Sequence, residues 1–438
     1  MSQISSNIFP GKIDGDKVPT HKIALGDVRY HRVLTLKDLI LLGLSMTIGS
    51  GIFILIDDVA RYSRNLVWLS ILLAGVMSLL TAMSYAELSG IFRNNHGEAG
   101  YIESVTNKNV SHVAGLLIMC SDIFILATIS LGFGNYLSKM IGMESSSVSI
   151  SLSIISVILL NYLNYLGIRS SVNVCQCALY IKLIAIVVLI IVCFTMGHLQ
   201  ENLLGTSSSN ITVGGVTTGT LIGLFAYLGF NNLTNFSEET IDPEITVGQS
   251  IIYTVIIVII IYTVIVIASL FVVNSLTLSQ TNTPLATIMG HLFGHYGFYL
   301  FVLLGVISLF DTLLVNSISE SRYIHALLSK MSPEYANYDM NIEKGTPYLS
   351  IIILVLLTVT VICVVNNIAT TAFYGDFMML IIFIIVNVVV IILRYQQPNI
   401  HRPFKVPFNW GKIPIPSMIA IIVGIYALVK TMSPHDHK

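Results

Sequence analysis

The chain has 438 residues, of which 54% are hydrophobic and only 10% are charged, and its mean hydropathy is +0.82. Soluble domains carry about 25% charged residues, so water is not the solvent for most of this chain, and we predict a polytopic membrane protein. The formal net charge is −1 and no basic block occurs, which excludes the electrostatic footprint of a nucleic-acid-binding protein.

The order of polar and apolar segments predicts the domain organisation. Residues 1–35 are polar and lack the apolar core of a signal peptide, which predicts a cytoplasmic tail. Apolar runs near the roughly 20 residues that span a bilayer follow. They predict eleven transmembrane helices, at 36–60, 66–92, 113–139, 147–166, 171–197, 215–237, 247–273, 297–322, 347–366, 372–394 and 414–432. Residues 282–295 are too short for a crossing and predict an interfacial helix.

The loops indicate the orientation. If the N-terminus is cytoplasmic, most Lys and Arg residues of the short loops fall on the cytoplasmic side, as the positive-inside rule requires. The Asn210-Ile-Thr212 sequon then lies outside, where a chance occurrence is the simpler interpretation. We expect an integral plasma-membrane protein. The cysteines all lie in apolar runs, and we interpret them as small core residues rather than as disulfides or zinc ligands: Cys120, Cys175, Cys177, Cys193 and Cys363.

The first predicted span is interrupted by glycines in "MTIGSGIFIL", residues 46–55. At about 1.5 Å per residue, Gly49–Gly51 lies about 20 Å along the helix, near the bilayer midplane. Close helix packing is the simpler explanation, because small residues let transmembrane helices approach each other.

The sixth predicted span is interrupted at a corresponding depth, where Gly223 and Gly229 flank "FAY" at 225–227 and a polar run follows. Two broken helices five spans apart occupy equivalent positions in two halves of opposite orientation, which favours an inverted-repeat transporter. Unwound backbone persists in a membrane only where protein, water or substrate satisfies it. Half-helix N-termini attract a carboxylate and freed carbonyls attract an ammonium group, so a zwitterion fits such a site.

Six segments carry a family resemblance. They read "TIGSGIFIL" at 47–55, "SYAEL" at 84–88, "GEAGYIES" at 97–104, "FAYLGF" with "EETIDPE" at 225–244, "SESRYIHAL" at 319–327 and "LRYQQPNIHRPFKVP" at 393–407. In this order they resemble the amino acid–polyamine–organocation (APC) transporter superfamily. Their spacing is most similar to the cationic amino acid transporter branch and its prokaryotic relatives.

The resemblance implies an all-α, five-plus-five inverted-repeat (LeuT-like) fold with alternating access to a central site. The repeats would cover 36–197 and 215–394, followed at 395–438 by a basic cytoplasmic loop and the eleventh helix. The sequence departs from the family pattern in three places. Asn231 replaces an acid common after the sixth-span "GF", a proline usual near Asn94–His96 is missing, and a twelfth helix is absent.

Several residues are candidates for binding, coupling and gating. We expect the substrate to contact the two breaks, at Ile48, Gly49, Ser50, Gly51, Phe225, Ala226, Tyr227 and Gly229. Lys182 lies roughly 17 Å inside the fifth span, too deep for its ammonium group to reach water. It is either a strut bonded to backbone carbonyls or, by resemblance, a proton-linked or fixed-charge substitute for the sodium ion of related transporters, facing the first break.

The acidic candidates have narrower roles. Asp122 in the third span pairs either with a cationic substrate or with a neighbouring helix. Asp311 and Asn316 lie in the eighth span, where pairing within the bundle is the simpler interpretation. We expect Asp57 and Asp58 to form a solvated vestibule rim. Glu87 ends the second span, and Glu238, Glu239 and Asp242 end the sixth; we expect these acids to stabilise a cytoplasmic gate.

The sequence therefore predicts a secondary active transporter of amino acids, proton-coupled or an exchanger. A channel or a non-transporting sensor on the same fold are the alternatives. The chain lacks a zinc-spaced His pair, a nucleophile elbow and a phosphate-binding loop, so no enzyme activity and no cofactor or metal are expected. His291 and His295 favour packing or headgroup contact. The expected partners are an amino acid, protons and the lipid bilayer, without nucleic acid; the sequence is silent on an accessory subunit.

Overall fold

In a computed structural model, residues 32–49, 51–92, 97–143, 145–198, 212–281, 283–341 and 345–431 are described. Residues 1–31 of the predicted tail, Ser50, the 94–96 turn and Asn210 lie outside these ranges. The α-helices are α1 (Leu36–Thr47), α2 (Ile56–Ser63), α3 (Val67–Ile91), α4 (Gly97–Glu103), α5 (Lys108–Met140), α6 (Ser146–Tyr165), α7 (Ile168–Met196), α8 (Val213–Leu224), α9 (Pro243–Ser269), α10 (Ser275–Leu278), α11 (Pro284–Met331), α12 (Pro333–Asp339), α13 (Tyr348–Val365), α14 (Ile368–Gln396) and α15 (Ile415–Thr431).

Shorter elements connect these helices. A π-helical turn covers Gly51–Leu55, and 3₁₀ segments cover Arg64–Leu66, Phe225–Tyr227 and Asn231–Glu239. Two antiparallel hairpins pair β1 (Met340–Asn341) with β2 (Thr346–Pro347), and β3 (Asn409–Trp410) with β4 (Ile413–Pro414). The membrane face at which α1 begins is called the near face below, and the opposite face is called the far face.

Local sequence determines where several helices begin. Thr35 and Asp38 form a capping box at the start of α1, with the side chain of each accepting a hydrogen bond from the backbone of the other. The Asn107 side chain caps α5 and the Asn367 side chain caps α14. Proline stands in the first turn of α9, α11 and α12, where its missing N–H has no helical partner to lose.

The helices have the length and composition of a multi-pass membrane protein. Nine apolar helical segments of the described chain are long enough to cross a bilayer, and Ile415–Lys430 is a shorter tenth. One of the nine, Leu36–Ile91, contains the first two predicted spans on either side of the turn at Arg64–Leu66. The eleven predicted spans therefore all coincide with helical segments, and the all-α polytopic fold class is confirmed.

The predicted interfacial helix at 282–295 is the first part of α11. The backbone leaves helical geometry at Gly294, which has φ +61° and ψ −146°. This conformation favours glycine, so the sequence separates the short helix from the eighth span at the expected place.

One buried apolar core runs through the bundle. Along it, α3 packs against α9, α5 lies between α11 and α14, and α1 contacts α9 and α11. Large apolar side chains such as Ile184, Leu356 and Ile422 are exposed on the outer surface, as expected where lipid replaces water. The interpretation of every cysteine as a core residue is wrong for three of them. Cys175 and Cys193 are buried, but Cys120, Cys177 and Cys363 lie on the outside of the bundle, and all five thiols are free.

A polar cluster fixes the loop that contains β1 and β2. The Asp339 carboxylate lies 2.7 Å from Nδ1 of His325 and accepts a hydrogen bond from the Ser350 backbone N–H at 2.9 Å. Burial alone would raise the pKa of Asp339, but the hydrogen bonds from His325 and Ser350 hold it below its ordinary value. The cluster ties the end of α11 to the start of α13.

Candidate functional site

The first span is broken where the glycines predict. The α-helical part ends at Thr47, and Ile48 is extended at φ −79°, ψ 94°. The chain resumes at Gly51 as a π-helical turn before α2 begins. Ser50 lies outside the described residues, so its predicted part in binding stays a prediction.

The sixth span is broken as well. After α8, the Phe225–Tyr227 segment is 3₁₀, Leu228 is extended, and Gly229 has φ +115°, a conformation that favours glycine. The Phe225, Ala226 and Tyr227 side chains are buried. The Tyr227 hydroxyl donates to the Ile71 carbonyl of α3 at 2.9 Å, so it holds the break against the scaffold.

The two breaks pack directly against each other. A Cβ atom added at Gly51 would lie 2.4 Å from the Ala226 Cα atom, and one at Gly229 would lie 3.0 Å from the Met46 Cβ atom. A Cβ atom at Gly49 would lie 1.9 Å from Oγ1 of Thr312 in α11. The glycines therefore allow the two breaks and α11 to pack closely, which is the simpler explanation of their presence. This packing role does not exclude a role in binding.

Side chains from three other helices satisfy the carbonyl groups that end α1. Nζ of Lys182 donates to the Ser45 and Ile48 carbonyls, at 3.3 and 2.5 Å, and the Tyr262 hydroxyl donates to the Thr47 carbonyl at 2.6 Å. Asn316 contacts the Met46 carbonyl at 3.4 Å. These are the carbonyls that a helix leaves without partners at its C-terminus, and they carry its negative dipole end.

Lys182 also forms a buried ion pair. Its Nζ atom lies 2.6 Å from Oδ2 of Asp311, and both side chains are fully buried. Lys182 contacts the first break, as predicted. Asp311 pairs with another helix of the bundle, which is the simpler of its interpretations. The next residue, Thr312, donates to the Ser45 carbonyl at 2.9 Å, which attaches α11 to the same end of α1.

A small cavity lies between the breaks. Its volume is about 10 Å³, which is room for about one water molecule. Asp122 lies on its wall, so the structure brings this predicted residue to the breaks. The cavity is lined by Met46, Asp122, Ile125, Ile129, Phe225, Leu228, Gly229, Asn231, Asn232 and Asn316. A molecule larger than water does not fit between the breaks in this arrangement.

A larger cavity of about 440 Å³ lies on the far-face side of the breaks, between α2, α8, α14 and α15. Leu228 borders both cavities and separates them. Asp58 lines the larger cavity and pairs with Arg61 at 3.0 Å, as expected for a vestibule rim. The same expectation is wrong for Asp57, which is only 6% exposed because it lies on the buried side of α2.

On the near face the breaks are covered by charge pairs. Glu239, at the end of the sixth span, lies 3.1 Å from Nε of buried Arg322 in α11. The Leu34 backbone N–H donates to the Glu239 carbonyl at 3.0 Å, so the chain entering α1 is attached at the same point. Glu87 accepts from Nε of Arg394 at 2.8 Å and from Nε of Arg402 at 3.1 Å. These contacts join the near-face ends of the first, second and sixth spans to α11, to α14 and to the loop after α14.

The sequence pattern does not single out three further acids, of which Glu98 and Glu320 are buried and Asp376 is half-buried. Glu98 in α4 accepts from the Tyr85 hydroxyl at 3.0 Å and from Nδ2 of Asn231 at 3.2 Å. Glu320 is buried in α11 beside Asp122, and Asp376 lines the larger cavity. Asp376 directly precedes the apolar run at 377–386, and its position inside the tenth predicted span is the signal in the sequence that points to it.

Comparisons with known proteins agree with this architecture. Residues 34–437 match the amino acid permease family model. The chloroplastic cationic amino acid transporter 9 of Arabidopsis thaliana is 30% identical over 233 residues, covering 49% of this chain and 40% of that protein. The branched-chain amino acid permease BcaP of Bacillus subtilis is 22% identical over 251 residues, 53% of each chain. The cystine/glutamate transporter of Pongo abelii is 26% identical over 395 residues, 87% of this chain and 77% of that protein.

The chain spans about half or less of the length of the first two of these relatives. The family match does not depend on them, because it extends over nearly all of the sequence and includes both breaks. The chain belongs to the amino acid permease family.

Proposed function

We propose that this protein is a secondary active transporter of amino acids that works by alternating access. One observation carries the proposal: in a member of the amino acid permease family, two broken helices meet at a closed cavity inside the bundle. The relatives include transporters named for cationic, branched-chain and acidic amino acids. The common feature of these substrates is the zwitterionic part, which suits broken helices with exposed helix ends.

The substrate enters from the far face in this proposal. The 440 Å³ cavity is large enough for an amino acid and ends at Leu228, directly above the breaks. The near face is held shut by the Glu239–Arg322 pair and by the contacts of Glu87 with the loop after α14. Because most Lys and Arg residues of the short loops lie on the near face, this face is cytoplasmic in the proposal. The membrane in the proposal is the plasma membrane.

Backbone groups of residues 48–51 and 225–229 bind the carboxylate and ammonium groups of the substrate. The Ser45 and Ile48 carbonyls each already accept from both Lys182 and Thr312. The substrate ammonium group therefore uses the second lone pairs of the Met46 and Thr47 carbonyls, which have one donor each, or the carbonyls of the 225–227 segment. Asp122, on the cavity wall, faces the substrate side chain and favours a positive charge there.

Lys182 is the coupling residue in this proposal, linked to protons or acting as a fixed charge. Its ammonium group stands between Asp311 and the end of α1, where loss of its proton would remove one of its three N–H donors and leave Asp311 without a cation. Occupancy of the first break and the charge on Lys182 would therefore depend on each other.

The experiment is uptake into proteoliposomes with a panel of radiolabelled amino acids, with and without a proton gradient. Saturable uptake that is stimulated by unlabelled amino acid on the opposite side supports a carrier. A channel gives uptake without exchange stimulation, and a sensor gives binding without uptake. Lys182→Met should abolish the response to the proton gradient, with exposed Lys405→Met as the matched control. An unchanged gradient response in Lys182→Met would refute the coupling role.

A further inference from the structure

Two carboxyl groups from different helices meet inside the bundle. Asp122 in α5 is 4% exposed and Glu320 in α11 is 1% exposed, and their carboxyl groups lie close enough for a hydrogen bond if one of them carries a proton. The mechanism proposed above assigns no role to Glu320. The pair stands at the wall of the small cavity between the breaks, because Asp122 lines that cavity.

The pair has few donors. Oδ2 of Asp122 and both carboxyl oxygens of Glu320 have no hydrogen-bond donor within the described part of the chain. The Asn232 side chain contacts Asp122 but does not reach these three oxygens. In the same part of the chain, neither carboxyl group is paired with Lys, Arg or His.

The neighbouring titratable groups are already engaged or are themselves acidic. The Tyr85 hydroxyl donates to Glu98 at 3.0 Å, and the Tyr323 hydroxyl donates to the Gly115 carbonyl at 3.2 Å. The Tyr101 hydroxyl contacts Thr234. Around the pair, the titratable side chains of the described residues are Tyr85, Glu98, Tyr101, Cys120 and Tyr323. None of them brings a positive charge to the pair.

Two ionised carboxylates in contact, away from water and without a cation, repel each other strongly. A proton between them removes the repulsion, because one carboxyl then donates its O–H to the other. A hydrated cation does not fit in about 10 Å³, and no group of three His, Cys, Asp or Glu side chains suited to a metal ion occurs among the described residues.

We propose that Asp122 and Glu320 share one proton in the closed state, forming a proton-binding site separate from Lys182. The protonated carboxyl donates to the carboxylate of its partner, and the pair carries one negative charge. When the near face opens and water reaches the pair, the proton passes to water, the pair carries two negative charges, and α5 and α11 separate at this point. The release of this proton during transport rests on the proposed function; the shared proton in the closed state does not.

The test is infrared difference spectroscopy of the purified full-length protein near neutral pH, in H₂O and D₂O. A shared proton gives the carbonyl stretching band of a protonated carboxyl group, with an isotope shift. Glu320→Gln and Asp122→Asn should each remove this same band, because the new amide N–H donates to the remaining carboxylate and no proton is needed. Exposed Glu334→Gln, the same chemical change on the protein surface, should retain it.

Each result decides the proposal. A band that persists in either variant, or its absence from the wild-type protein, overturns the shared proton. Should Glu320→Gln not fold, as judged by size-exclusion elution, Asp122→Asn carries the same test from the other side. The spectra do not depend on transport. A wild-type protein that shows the band but fails to exchange amino acids would refute the proposed function and leave the proton site standing.

Discussion

Replacing Lys182 by Met tests how much the buried ion pair contributes to the structure. The substitution keeps an unbranched side chain and removes the ammonium group 2.6 Å from Asp311. Breaking a fully buried pair by removing one partner costs about 3–5 kcal/mol, because the remaining charge is uncompensated. This corresponds to a factor of roughly 10² to 10⁴ in the unfolding equilibrium.

The contacts around the pair predict an asymmetry between its two partners. In Asp311→Asn, the ammonium group keeps the Ser45 and Ile48 carbonyls, which form the negative end of α1. In Lys182→Met, the Asp311 carboxylate keeps only the neutral Ser45 hydroxyl and Cys175 thiol. We therefore expect Lys182→Met to destabilise more than Asp311→Asn, and the double variant Lys182→Met/Asp311→Leu to regain most of the loss.

The assay is denaturant unfolding of the detergent-solubilised protein, followed by size-exclusion elution. Exposed Lys405→Met controls for the change of side chain and should stay within about 0.5 kcal/mol of the wild-type protein. Equal stability of Lys182→Met and this control would refute a stabilising contribution of the ion pair. An uncompensated charge as the cause of the loss is refuted if the double variant is less stable than Lys182→Met alone.

Three further substitutions test other parts of the site. Gly51→Ala places a Cβ atom 2.4 Å from the Ala226 backbone and should lower the free energy of unfolding by about 1–3 kcal/mol. Gly214→Ala is the control and should be tolerated, because no atom lies nearer than 3.9 Å to the added Cβ atom. Equal stability of the two variants would refute the packing role of Gly51. In a variant without the five native cysteines, Glu239→Gln weakens the near-face ion pair and should speed labelling of a cysteine introduced at Asn235. Unchanged labelling would be the contrary result. Asp339→Asn should reduce the loss of stability on acidification. The lowered pKa of this carboxyl in the folded protein contributes stability at higher pH, and the contribution is lost as the pH falls through that pKa. An acid response identical to that of the wild-type protein would contradict this.

The sequence predicts the helices and both breaks well, because each depends on local features. Apolar length determines the spans, and Gly49, Gly51 and Gly229 mark the positions at which the helices are interrupted. Lys182 was found from its depth in an apolar run alone. The sequence also predicts that Asp311 pairs within the bundle, but without coordinates it does not state which of several helices faces this carboxyl group.

Glu320 shows why other parts of the site were missed. It lies two residues before the end of the predicted eighth span at 297–322, which places it near the membrane surface. The α11 helix continues instead to Met331, and α4 packs against α5 and the Asn231–Glu239 segment. The Glu320 side chain is buried. The direction of the Gly49 Cα–H bond toward Thr312, rather than toward a substrate, likewise depends on how α1 and α11 cross.

The arrangement of acids on α11 connects the two proposed proton sites. Asp311 and Glu320 are nine residues apart, which is about 14 Å along a helix and about half a turn around it. They therefore point to opposite sides, Asp311 to Lys182 on α7 and Glu320 to Asp122 on α5. Between them, Thr312 and Asn316 hold the end of α1. A tilt of α11 that opens the near face at Arg322 changes both carboxyl contacts and the first break together, so one helix can link substrate occupancy to both charges.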